Sequence, residues 1–115
     1  MTRAEFLGLY ATGWTEGDPN KLRDAAADGY VLRDPHVGNV RKRHLDEYVR
    51  GLNALAASVG VNEPGLLTIT DVLTQDGETE LVAWARWSIA GSKIQGAGLI
   101  RVGDQGVISE DIFYD

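Results

Sequence analysis

The sequence predicts an α+β fold in which three N-terminal helices pack on one face of a curved antiparallel sheet. Two observations carry this. Apolar residues recur at three and four residue intervals through the first half of the chain, the stripe of amphipathic helices. After the turn signal Asn62-Glu63-Pro64-Gly65 the character changes to β-rich segments separated by short turns, which implies an antiparallel meander.

From Thr2 to Glu16 the stripe is Phe6, Leu9, Tyr10, Gly13 and Trp14, and Gly17 ends the helix. Asp18-Pro19 reads as an N-cap followed by proline at the first helical position, where its missing N–H costs nothing. The second helix runs through Asn20 to Ala27 with Leu22, Ala25 and Ala26 inward and Gly29 as its stop. A short apolar strand, Tyr30 to Asp34, leads into a loop with Gly38 and Asn39. The third helix spans about His44 to Val59, with Leu45, Tyr48, Val49, Leu52, Leu55, Ala56 and Val59 as its buried face and Gly60 as its stop. The strands follow as Leu66 to Thr74, Glu80 to Ala90, Lys93 to Val102 and Val107 to Tyr114, divided by Asp76-Gly77, Gly91-Ser92 and Asp104-Gln105-Gly106.

In the strand from Glu80, one face carries Leu81, Ala83, Ala85, Trp87 and Ile89, the other Val82, Trp84, Arg86 and Ser88. A strand buried on one side only is polar on the other, so Trp84 implies that the back of the sheet is covered as well. With the helices used on the front, the expected cover is a second copy of the chain: a homodimer through the outer sheet face. Ala83 and Ala85, with Gly96 and Gly98 on the next strand, leave room for a cavity between sheet and helices, or the glycines mark bends of a curved sheet.

Composition bounds the rest. At 115 residues, 43% hydrophobic and 24% charged, the chain fits one domain with one core. A net charge of −6 argues against a nucleic-acid partner, which needs a basic face. Cysteine is absent, which excludes disulfides and thiolate chemistry; the two histidines offer no metal-ligand spacing, so neither metal nor cofactor is expected. No apolar run reaches membrane-spanning length and the first residues lack a signal-peptide pattern, so the expected location is cytoplasmic with no membrane partner. Arg41-Lys42-Arg43-His44 either holds one anionic group or is a solvated helix entrance.

The stretch Tyr30 to Asn39 carries the chemistry. If the chain stays extended through Pro35, Asp34 and His36 point the same way, as a reactive pair or as a hydrogen-bonded strand end. At the mouth of an apolar pocket a carboxylate becomes a better base towards carbon acids, with His36 placed to orient it or share its proton.

Three words, YATGWTEGDPNKL, YVLRDPHVG and GLIRVGDQGVISEDIFYD, occur in an order and spacing that resemble the NTF2-like superfamily, in particular its SnoaL-like and ketosteroid-isomerase-like members, over nearly the whole chain. The resemblance implies a cone-shaped fold around a deep apolar pocket, a dimer, and an apolar small-molecule ligand. It also implies Asp34 as general base and Tyr10 as hydrogen-bond donor to a substrate oxyanion. The second acid of ketosteroid isomerases falls here at Gly98 or Ile100, and neither can donate, so the full steroid-isomerising apparatus is not implied. A likeness to limonene epoxide hydrolase in the closing segment fails at Arg86, whose neighbours Trp84 and Ser88 supply no acid.

On the last strand, the parity that follows the family turns Glu110, Ile112 and Tyr114 inward; a slip of one residue makes Asp111 the acid instead. With Trp14, Ala83, Ala85, Trp87, Gly98 and Ile100 they form the expected substrate-binding wall. The expected function is proton abstraction next to a carbonyl of an apolar molecule, leading to isomerisation, cyclisation or dehydration. The alternative is a ligand-binding or association module without chemistry.

Overall fold

The structure is a computed structural model that describes residues 1–58, 67–89 and 91–115. Helix α1 (Arg3–Glu16) starts at a capping box in which the Thr2 hydroxyl accepts from the Glu5 N–H and the Glu5 carboxylate accepts from the Thr2 N–H. It stops at Gly17, which takes the left-handed conformation at φ 67°. Helix α2 (Pro19–Ala25) is capped by the Asp18 carboxylate on the Asn20 N–H. The two helices close on one another at Gly13, where any Cβ would stand 2.8 Å from the Leu22 side chain.

The second helix is shorter than its alanine run predicts. Strand β1 (Ala26–Asp34) begins at Ala26, so Gly29 lies within the strand and ends no helix. The expected loop at Gly38 and Asn39 is also a strand, β2 (Gly38–Arg41), which pairs antiparallel with β1. A short 3-10 turn, Lys42–His44, precedes α3 (Leu45–Ser58). Lys42 donates to the Ala26 carbonyl at 2.8 Å. The expected stop at Gly60, the turn at residues 62–65 and the strand ends Leu66 and Ala90 lie outside the described residues.

The remaining strands are β3 (Leu67–Asp76), β4 (Leu81–Ile89), β5 (Gln95–Gly103) and β6 (Gly106–Tyr114). They form the expected antiparallel meander, but the curved sheet as a whole is mixed. Its order is β2-β1-β6-β5-β4-β3, and β1 runs parallel to β6. Adjacency of a strand from the start of the chain to one from its end is a tertiary choice that no local pattern encodes.

Helix α1 lies against β3, β5 and β6. The core gathers Tyr10, Leu22, Tyr30, Leu32, Leu45, Val49, Val102 and Val107. In β4, Leu81, Ala83, Ala85 and Ile89 are buried, whereas Trp84 and Arg86 face outward, as the alternation predicts. Outside, the Trp84 ring packs on Phe113 at 5.6 Å between centroids, with Leu73 paired beside Trp84. These side chains are 37%, 50% and 70% exposed, respectively for Trp84, Phe113 and Leu73.

Candidate functional site

Between the helices and the inner sheet face lies a cavity of about 580 Å³. Its walls come from α1 (Tyr10, Trp14), α3 (Tyr48, Leu52), the end of β1 (Asp34), and the inner faces of β3 to β6. The expected lining residues Trp14, Ala83, Ala85, Trp87, Ile100, Glu110, Ile112 and Tyr114 all border it. Trp14 and Trp87 line the space without filling it. Ile69 and Val72 both reach it because a register shift between Ile69 and Asp71 turns Val72 inward, against strict alternation.

Gly98 takes a different part from the one expected of it. It does not border the cavity; a Cβ there would stand 2.1 Å from Glu110 Oε2. Its missing side chain leaves the notch in which the Glu110 carboxyl lies. The parity of β6 is settled in favour of Glu110, which is 6% exposed, while Asp111 faces out and pairs with Arg33 at 3.1 Å.

Two carboxyl groups therefore share one apolar cavity on adjacent parallel strands, with Leu32 the register partner of Glu110 and Asp34 two residues further along β1. Asp34 is 3% exposed and accepts three hydrogen bonds. The Tyr48 hydroxyl donates to Oδ2 at 2.6 Å, the Tyr114 hydroxyl to the same atom at 2.9 Å, and the His36 backbone N–H to Oδ1 at 2.9 Å. Burial and the Asp34 charge push the Tyr114 phenol up to about 12 and the Tyr48 phenol further still, so both stay protonated donors.

Glu110 is held differently. Tyr10 donates to its Oε1 at 2.5 Å, and the Tyr10 and Tyr30 hydroxyls are 2.7 Å apart. A phenol has one hydrogen; with that of Tyr10 on Glu110, Tyr30 donates to Tyr10. Burial pushes the Glu110 carboxyl up to about 7, against the opposing effect of the Tyr10 hydrogen bond. All four tyrosines of the chain thus serve the two carboxyls.

His36 reaches the site by another route than strand parity. Strand β1 ends at Asp34 and residues 35–37 form a turn, so the extension through Pro35 does not occur. The His36 backbone, not its imidazole, holds the Asp34 carboxylate, and the ring lies tilted against Tyr114 at 4.6 Å while bordering the exposed mouth of the cavity. Tyr10 is in the site as expected, with its hydroxyl committed to Glu110 and Tyr30. Tyr30, which shares the parity of Leu32 and Asp34, joins the site in addition to the residues expected there, and Tyr48, expected on the buried face of α3, also bonds Asp34. The Trp14 indole N–H is buried, edge-on to the rings of Tyr10 and Tyr48, and has no hydrogen-bond partner among the described residues.

Among the described residues, no cluster of three or more histidine, aspartate or glutamate side chains could hold a metal ion. No described helix is long and apolar enough to cross a membrane.

No family model and no curated protein sequence matches the chain. Solved structures do. An NTF2-like protein of unknown function from Cytophaga hutchinsonii superposes with a TM-score of 0.68 at 8% identity, covering 100% of this chain and 91% of that one. A candidate polyketide cyclase from Xanthomonas campestris gives a TM-score of 0.66 at 9% identity, over 98% of this chain and 90% of that one. The beta subunit of benzoate 1,2-dioxygenase from Burkholderia mallei gives 0.64 at 11% identity, over 97% and 87%. Likenesses that span nearly the whole chain at such low identity are likenesses of architecture, and they show that the chain has the NTF2-like fold.

Proposed function

We propose that the protein is a cofactor-independent, SnoaL-like or ketosteroid-isomerase-like enzyme that abstracts a proton next to a carbonyl group of an apolar small molecule. Asp34 is the base, and the Tyr10–Glu110 pair polarises the carbonyl oxygen. The observation that carries this reading is the pair of carboxyl groups on one wall of an otherwise apolar cavity, one gripped by three donors and one desolvated to about 7. An acid that titrates near neutrality donates a hydrogen bond to a developing oxyanion at little cost, while a carboxylate fixed in place by three donors presents its remaining acceptor position to an acidic C–H. Tyr10, which spends its hydrogen on Glu110, acts through that acid. The neighbour from Xanthomonas campestris bears a name of the same reaction class.

The test uses α-tetralone, an apolar ketone with one enolisable carbon, incubated with the protein in deuterium oxide. The expected outcome is deuterium uptake at that carbon, with Asp34→Asn slowing it by about a hundredfold or more, the scale of a lost general base. Uptake at an unchanged rate in Asp34→Asn refutes the assignment.

A second reading, a ligand-binding or association module, draws on the exposed apolar cluster of Leu73, Trp84 and Phe113 outside the sheet. Under either reading we propose that this face pairs with a second copy of the chain. Sedimentation is expected to give a dimer at micromolar concentration and a monomer for Trp84→Glu; a monomeric unmodified chain removes the proposal.

A further inference from the structure

The geometry points to a single oxygen of Asp34, Oδ1, as the atom that takes the proton, and to Tyr48 and Tyr114 as the positioning residues that keep it aimed. This rests on Asp34 being the base. A carboxylate has about four in-plane acceptor positions, two on each oxygen. On Oδ2 both are occupied, by the Tyr48 hydroxyl at 2.6 Å and the Tyr114 hydroxyl at 2.9 Å. On Oδ1 one is occupied, by the His36 N–H at 2.9 Å. One position is left, and it belongs to a side chain that borders the cavity.

The three donors come from three separate pieces of the fold: Tyr48 from α3, Tyr114 from the end of β6, and the His36 N–H from the turn that follows β1. The carboxylate cannot swing without breaking at least one of these bonds. The phenols are braced in turn: Tyr48 packs edge-on against Trp14, with ring centroids 6.0 Å apart, and Tyr114 packs edge-on against Trp87 at 5.6 Å and tilted against the His36 ring at 4.6 Å. Aromatic pairs at these separations hold ring orientation, and hence the position of each phenol oxygen.

A base fixed in this way works on one face of one carbon. In the step considered, the Cα–H bond breaks and its proton goes to Oδ1. The bonding pair becomes the enolate double bond, and the carbonyl π pair moves to oxygen. On reversal, Oδ1 returns a proton or, after exchange with deuterium oxide, a deuteron to the same face from which it was taken. A pinned carboxylate does not travel along the substrate, so transfer to a distant carbon falls outside its reach. The clamp therefore favours enolisation followed by bond formation or elimination over a long proton migration.

The α-tetralone experiment tests this through the number of deuterons incorporated, read by mass spectrometry. The unmodified protein is expected to stop at one deuteron per ketone, because only one of the two hydrogens on the enolisable carbon meets Oδ1. Tyr48→Phe and Tyr114→Phe each keep the ring and lose one donor. Each is expected to slow uptake by roughly tenfold, as for a mispositioned catalytic group, to admit the second deuteron, and to leave ketone affinity within about twofold, the split that separates positioning from a general loss of structure. Single labelling at an unchanged rate in both variants overturns the role of the clamp while leaving Asp34 as base. Double labelling by the unmodified protein overturns the single-atom assignment. Absence of uptake by the unmodified protein overturns the base and the clamp together.

Discussion

The two carboxyl groups of the cavity sit on neighbouring strands and are built by opposite means. Asp34 stands at a strand end beside the mouth, where the chain turns back and three donors from three elements meet its oxygens. Glu110 lies mid-strand, over a glycine, with one direct donor and a second phenol behind it. Burial dominates at the second, where the carboxyl rises to about 7. Two groups of one chemical type thus acquire different surroundings from their strand position and donor count.

The comparison breaks most sharply at Glu110. Its ordinary value is 4.5 and its folded value about 7, so between these limits the folded chain holds a proton that the unfolded chain has released. Stability therefore falls as pH rises through that window and levels off above it. Glu110→Gln removes the effect, and denaturant titration is expected to show the variant more stable by about 3 kcal/mol near pH 8 and close to parity near pH 4. A pH-independent difference would remove the contrast between the two carboxyls.

Gly98→Ala probes the notch. The new methyl would stand 2.1 Å from Oε2 and 3.0 Å from Cδ of Glu110, so the carboxyl must move within its buried site, which strains its bond to Tyr10. The expected cost is about 1–3 kcal/mol in denaturant unfolding, the range for overpacking and a lost buried hydrogen bond. An unchanged stability with the Tyr10 bond intact in a crystal structure would show that the notch is not needed.

Tyr30→Phe is the mildest test, since Tyr30 touches Glu110 only through Tyr10. A loss of about 1 kcal/mol is expected from one neutral buried hydrogen bond. A loss as large as that from Tyr10→Phe would mean that Tyr30 supports the acid directly.

Much of this was legible from local pattern. The stripe of α1, the Asp18-Pro19 cap of α2 and the alternation of β4 are each written within a few residues, because capping and periodicity depend on near neighbours. The inward parity of Glu110, Ile112 and Tyr114 belongs to the same class once one inward residue is known. The Ala25-Ala26-Ala27 run misled for the opposite reason: helix propensity is weak, and pairing with β6 draws Ala26 into the sheet.

What the sequence by itself determined is the order and kind of the elements and the presence of Asp34, Glu110 and four tyrosines. What only the tertiary structure decided is which of them meet. The bonds of Tyr48 and Tyr114 to Asp34 span 14 and 80 positions, and that of Tyr10 to Glu110 spans 100. They exist because β1 enters the sheet beside β6 while α1 and α3 close over it. The physical reason is that hydrogen bonding and desolvation are set by neighbours in space, which strand order fixes and sequence spacing does not.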